Sequence, residues 1–199
     1  MNSIVLVPSI LLLNTTVFSY VLQHFGAYTR LHRATQLELL NRISGLCFQL
    51  YLLYSGFYLA SDESVNAFNQ ATAGYMIYDL AHMSLFSKTW PMYFHHGFYI
   101  VVYINRAAFS QEYHTKCAQM IWLLESSSPL LTLTWTLHTF EYPLNQIHTT
   151  IRILCFIYWS LSRVIIFPYF IYSWGLYMIG IPFYLLQLYW FKLLLRRIK

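Results

Sequence analysis

Tyr75, Tyr78, Asp79 and His82 recur at spacings of three, one and three positions within one short stretch. In a helix the positions i, i+3, i+4 and i+7 share a face. Two phenols, a carboxylate and an imidazole would therefore stand in one row. Further along, His95 and His96 are adjacent, and Tyr99 follows at four and three positions. Neighbouring helical residues diverge by about 100°, so the two imidazoles do not aim at one point. A neutral imidazole can serve as a general base, an acyl acceptor or a hydrogen-bond partner. A third group, Glu125, Ser128 and Thr132, again has helical spacing, and Pro129 withholds the backbone donor that the Glu125 carbonyl would meet. The hydroxyls of Ser126, Ser127 and Ser128 can satisfy carbonyls freed by such a break. Arg163 lies in YWSLSRVIIFP, just before Pro168. It requires a carboxylate partner, for which Asp79 and Glu125 are the two candidates. Each group also has a purely structural reading, as a hydrogen-bond cluster or ion pair that fixes helix packing.

The elements that must position these residues follow from composition. Of the 199 residues, 58% are hydrophobic and only 10% are charged, against about 25% charged in soluble domains. So few charges cannot cover a water-facing surface, whereas lipid makes no such demand. Runs such as LVPSILLL and LYLLYSGFYLA do not alternate, which argues for membrane helices over barrel strands. The sequence predicts an all-α, polytopic transmembrane helix bundle of about seven spans, near 3–22, 43–60, 71–87, 91–105, 117–138, 151–173 and 174–195. Six is the alternative count, because the fourth is short and the last two nearly abut. Residues 1–34 read as an N-terminal transmembrane helix and cytoplasmic loop, and 35–199 as the main transmembrane domain. Ionisable groups on four separate spans imply a central polar cavity open toward the cytoplasmic half.

Charge sets the orientation. Loop 23–42 carries Arg30, Arg33 and Arg42, and the tail carries Lys192, Arg196, Arg197 and Lys199. The positive-inside rule places both on the cytoplasmic side, which requires an odd span count and an external N-terminus. The first apolar run has no basic residue before it and is longer than a signal-peptide core, so it reads as a retained span. The net charge of +5 is spread over short loops, which disfavours a nucleic-acid partner. Cys47, Cys117 and Cys155 form no CxxC pair and read as small buried hydrophobes. The 8 histidines include no HxxHH or HxxxH box, so neither a metal site nor a di-iron hydroxylase is expected. No internal repeat suggests a transporter.

The ordered set Tyr75-x-x-Tyr78-Asp79, then His95-His96, then Glu125-Ser126-Ser127-Ser128-Pro129, then two further spans, resembles the TLC-domain family over roughly residues 35–190. That family includes ceramide synthases, which move an acyl group from acyl-CoA to a sphingoid base. It also includes shorter members linked to membrane lipid composition. The resemblance implies a role in lipid homeostasis, acting on sphingolipid or phospholipid composition. Tyr75, Tyr78, His82, Tyr99, Glu125, Ser128 and Arg163 would line the lipid-binding cavity. The alternative is an acyl-CoA-dependent N-acyltransferase, with His95, His96 and Asp79 catalytic and acyl-CoA as co-substrate. In the synthases the histidine pair opens a motif rich in aspartate, whereas no aspartate follows Asp79 here. The sequence leaves catalysis open. Membrane lipids are the expected partners, and no resident cofactor is expected. The terminal RRIK loosely resembles a basic retrieval signal, pointing to the endoplasmic reticulum or another endomembrane.

Overall fold

A computed structural model of the chain describes residues 3–85, 90–140 and 146–198. Among the described residues all regular structure is helical. The chain forms two compact units, Met1–Ala118 and Gln119–Lys199.

In the first unit, α1 (Ser3–Leu22) and α3 (Arg33–Gly56) flank α4 (Asp62–Met83), and α5 (Trp90–Ile104) packs on α4 as well. A short turn of helix, α2 (Gly26–Thr29), joins α1 to α3. The α4 helix starts earlier than its apolar stretch predicts. Ser61 and Ser64 exchange side-chain to backbone hydrogen bonds of 3.2 and 3.1 Å, and Asp62 and Glu63 occupy the first turn. A capping box and acidic residues at a positive helix end both favour initiation there. What hydropathy reads as a loop at 61–70 is therefore the opening of α4. Residues 71–76 of α4 are buried without interruption, because neighbouring helices cover it on several sides. Its small and polar residues, Ala71, Thr72, Ala73 and Gly74, permit that close approach. Gly45 of α3 lies under the Tyr75 hydroxyl, where an added Cβ would sit 3.1 Å from the oxygen.

In the second unit, α6 (Gln111–Glu125), which begins in the first, leads to α7 (Ser128–Thr139). The expected break falls at Ser126–Ser127, with Pro129 in the first turn of α7. The Ser126 and Ser127 hydroxyls donate to the carbonyls of Leu123 and Leu124 at 2.6 and 3.1 Å. A long rod follows: α8 (Gln146–Ser160), a widened π-type stretch Leu161–Ile166, and α9 (Phe167–Trp174). Pro168 offers no N–H to the Val164 carbonyl, and the Tyr184 hydroxyl donates to that carbonyl instead, at 3.4 Å. The rod stops at Gly175, whose φ of 68° is left-handed. Leu176 N–H bonds to Ile171 C=O and Gly175 N–H to Tyr172 C=O, the Schellman pattern that closes a helix. The chain then reverses into α10 (Tyr177–Ile198). Gly180 of α10 lies against the Ile171 side chain so closely that a Cβ there would collide with it.

Among the described residues, three helices are both long and apolar enough to cross a membrane: Ile4–Leu22, Gln146–Trp174 and Tyr177–Arg196. Their outward residues, such as Leu12, Leu13, Ile153, Ile165 and Leu185, are exposed, as lipid-facing positions must be. The other predicted spans are helical, but length and apolarity alone do not carry them. The α4 helix is too polar, and α5 has 15 residues, about 22 Å against a roughly 30 Å hydrocarbon core. The fifth stretch is split between α6 and α7. The end of the third stretch, at Ser87, lies outside the described residues.

Candidate functional site

Within the first unit, the face of α5 that carries His95, His96 and Tyr99 turns toward α4, and all three side chains are buried. His96 Nε2 lies 2.9 Å from Asp79 Oδ2, with both side chains almost fully enclosed. The Asn41 amide of α3 donates to Asp79 Oδ1. On the other side of the ring, His96 Nδ1 meets the Met76 sulfur at 2.6 Å. In this arrangement both His96 ring nitrogens are engaged. His95 presents its ring edge-on to His96, with centroids 5.0 Å apart.

The predicted row on α4 divides among its neighbours. Asp79 faces α3 and α5. The Tyr78 hydroxyl pairs with Thr15 of α1 at 2.5 Å, and Thr15 pairs with Ser44 of α3 at 2.9 Å. Tyr75 stacks on Phe48 of α3 at 4.6 Å. His82 is buried, with its ring 5.7 Å from that of Tyr78. Tyr99 lies farther along α5, where its hydroxyl donates to Asn69 Oδ1 at 3.3 Å.

The second unit holds the other group. Arg163 is buried in the π-type stretch. Its Nε donates to Ser127 Oγ at 3.0 Å, one terminal nitrogen to Gln187 Oε1 of α10 at 3.0 Å, and the other to the Leu124 carbonyl at 2.5 Å. The same nitrogen stands 4.0 Å from Glu125 Oε1, and Ser128 donates to Glu125 Oε2 at 2.8 Å. Trp159 lies 5.7 Å from the guanidinium. Of the two carboxylates open to Arg163 in the sequence, its partner is Glu125; Asp79 is taken by His96. The π-type widening rotates the rod locally, a feature frequent where function or a buried group demands a particular direction.

Sequence reasoning missed Asn41, Met76, Thr15, Ser127 as an Arg163 acceptor, and Gln187. Asn41 fell in what hydropathy treats as a loop, although α3 begins at Arg33. Gln187, the one polar residue of LLQLY, was a signal that could have been used. Cys117 and Cys155 are buried as expected, but Cys47 is exposed, because the buried face of α3 is taken by Ser44, Gly45 and Phe48.

Bilayer-length apolar helices, together with buried ionisable groups paired with other protein groups, define an integral membrane protein of several helices. The profile of the TLC domain matches residues 14–196, almost the whole chain, and the chain belongs to the TLC-domain family. Comparisons with curated proteins and with solved structures found no match.

Proposed function

We propose that this TLC-domain protein acts in membrane lipid homeostasis, altering sphingolipid or phospholipid composition from within an endomembrane such as the endoplasmic reticulum. The observation that carries this reading is the enclosed Asn41–Asp79–His96–Met76 chain of polar contacts between helices of a lipid-linked family. An ionised group at such depth costs roughly 2.5–3.5 kcal/mol on insertion scales, and packing alone has cheaper solutions. Lipids would reach the polar residues of α4 and α5 by parting the helices. Expression in a host lacking the protein, followed by quantitative lipidomics, should change sphingolipid or phospholipid classes. Asp79→Asn should blunt that change. Identical profiles with and without the protein would remove the proposal.

A second reading, acyl-CoA-dependent N-acyl transfer, is favoured by the 2.9 Å Asp79–His96 contact, since a carboxylate orients and polarises an imidazole. The amine nitrogen would attack the thioester carbonyl, the CoA thiolate would leave, and a histidine would take the amine proton. Purified protein given acyl-CoA and sphingoid bases should then yield amide, and His95→Ala or His96→Ala should abolish it. Absence of product across acyl chain lengths eliminates this route and leaves the first untouched.

A further inference from the structure

The outward face of α10 carries one continuous stripe. Leu185, Leu188, Tyr189, Lys192 and Arg196 stand at i, i+3, i+4, i+7 and i+11, and all are exposed. The other side of α10 meets protein. Leu186 and Gln187 are buried, Gln187 accepts from Arg163 at 3.0 Å, and the Phe191 ring lies 6.1 Å from those of Phe156 and Trp159 on α8. Partners on the rod fall in number as those on α10 rise, so the two run antiparallel. From Phe191 to Arg196 is about 7.5 Å along α10, and from Phe156 back to Arg152 about 6 Å along α8. Exposed Arg152 therefore stands near the level of Arg196. Arg197 and Lys199 follow in the sequence. Among the described residues of this unit the carboxylate is Glu125, buried beside Arg163. Glu141, between α7 and α8, lies outside the described residues.

A face that meets only acyl chains has no use for Lys192, which falls inside the apolar span Tyr177–Arg196 and not beyond its end. A charged side chain in that position extends along the helix toward an anion at the interface. The stripe matches the layers of one amphiphile. Leu185 and Leu188 can contact an acyl chain, and the Tyr189 ring suits the boundary between chain and headgroup. Lys192 and Arg196, about 6 Å apart along the axis, can hold a phosphate, with Arg152 as a third cation at that level. A zwitterionic headgroup would bring its own ammonium among these cations. An acidic protein segment would have to set its carboxylates beside exposed leucines within an apolar span. We propose that this stripe binds one phospholipid of net negative headgroup charge, its phosphate on Lys192 and Arg196 and its acyl chain along Leu185 and Leu188. The site shares no residue with the Asp79–His96 pair and does not require that the protein alter lipid composition.

The test places full-length protein in nanodiscs of equal phosphatidylglycerol and phosphatidylcholine, extracts it in mild detergent and counts the retained lipids by mass spectrometry. Phosphatidylglycerol should be enriched over the bulk ratio, and equal retention overturns the site. Lys192→Gln with Arg196→Gln should lower the enrichment, by roughly fivefold for each cation removed. Lys192→Arg with Arg196→Lys should keep it. Arg30→Gln with Arg33→Gln, in the first unit, removes the same net charge and should also keep it. Unchanged enrichment in the glutamine pair at 192 and 196 overturns the proposal. So does an equal fall in the pair at 30 and 33, which would mean diffuse charge. Should the first pair not fold, a photo-cross-linking amino acid in place of Leu188 leaves every cation where it is. It should capture phosphatidylglycerol over phosphatidylcholine, whereas the same amino acid in place of exposed Leu12 of α1 should capture the two alike. No difference between the two positions overturns the proposal.

Discussion

Replacing Arg163 by Met removes a buried cation while keeping most of the side chain's length. The guanidinium makes three well-formed hydrogen bonds to other helices, through Ser127, Gln187 and the Leu124 carbonyl. Interhelical hydrogen bonds in membranes average about 0.6 kcal/mol, so these supply about 2 kcal/mol. The loss also leaves Glu125 buried without its cation. At their 4.0 Å separation, an effective dielectric near 20 gives about 4 kcal/mol of gross attraction, partly offset by desolvation. The expected cost of Arg163→Met is therefore about 3–5 kcal/mol, as for other broken buried pairs. Neutralising the orphan should restore part of it. In Arg163→Met combined with Glu125→Gln, the two changes should fall short of additivity by roughly 1–3 kcal/mol. Equilibrium unfolding in mixed micelles of the wild type, both single variants and the double variant closes the cycle. A single-variant cost under about 1 kcal/mol, or additivity within about 0.5 kcal/mol, refutes the reasoning.

Two further outcomes are expected in the same assay. Asn41→Leu leaves Asp79 Oδ1 without its donor and should destabilise by about 1–3 kcal/mol, whereas Asn41→Gln, should its longer amide reach, loses less; an unchanged Asn41→Leu would show that the contact does not form. Gly180→Ala forces a methyl group into Ile171 and should cost about 1–3 kcal/mol. In an Ile171→Ala background the same change should cost little, and a loss that persists there would place the strain elsewhere.

Much of the protein is legible from its residues alone. The all-helical membrane character follows from too few charges and unbroken apolar runs, because lipid offers no partner to an exposed backbone. The family follows from an ordered set of motifs. The break before Pro129 was readable because proline lacks a donor, and the neighbouring serines sit where freed carbonyls need one. That Glu125 and Ser128 share a side was readable from their spacing, a local property that the break between α6 and α7 leaves in place.

Other features required the chain to be folded. The start of α4 was hidden because hydropathy weighs side chains, whereas a Ser61–Ser64 capping box acts on backbone groups. Seven apolar stretches were counted by one-dimensional hydropathy, yet α4 is small and polar because other helices, not lipid, cover it. Arg163 had two carboxylates open to it in the sequence. Only the packing of α3 and α5 on α4 gave Asp79 to Asn41 and His96, leaving Glu125 for the guanidinium. The same packing placed Met76 against His96 and so occupied its second nitrogen. Spacing along a helix fixes which side chains share a face, but partners on different helices are set by rotation and depth. Those are settled by the close fit of many side chains at once, which no single stretch of sequence contains.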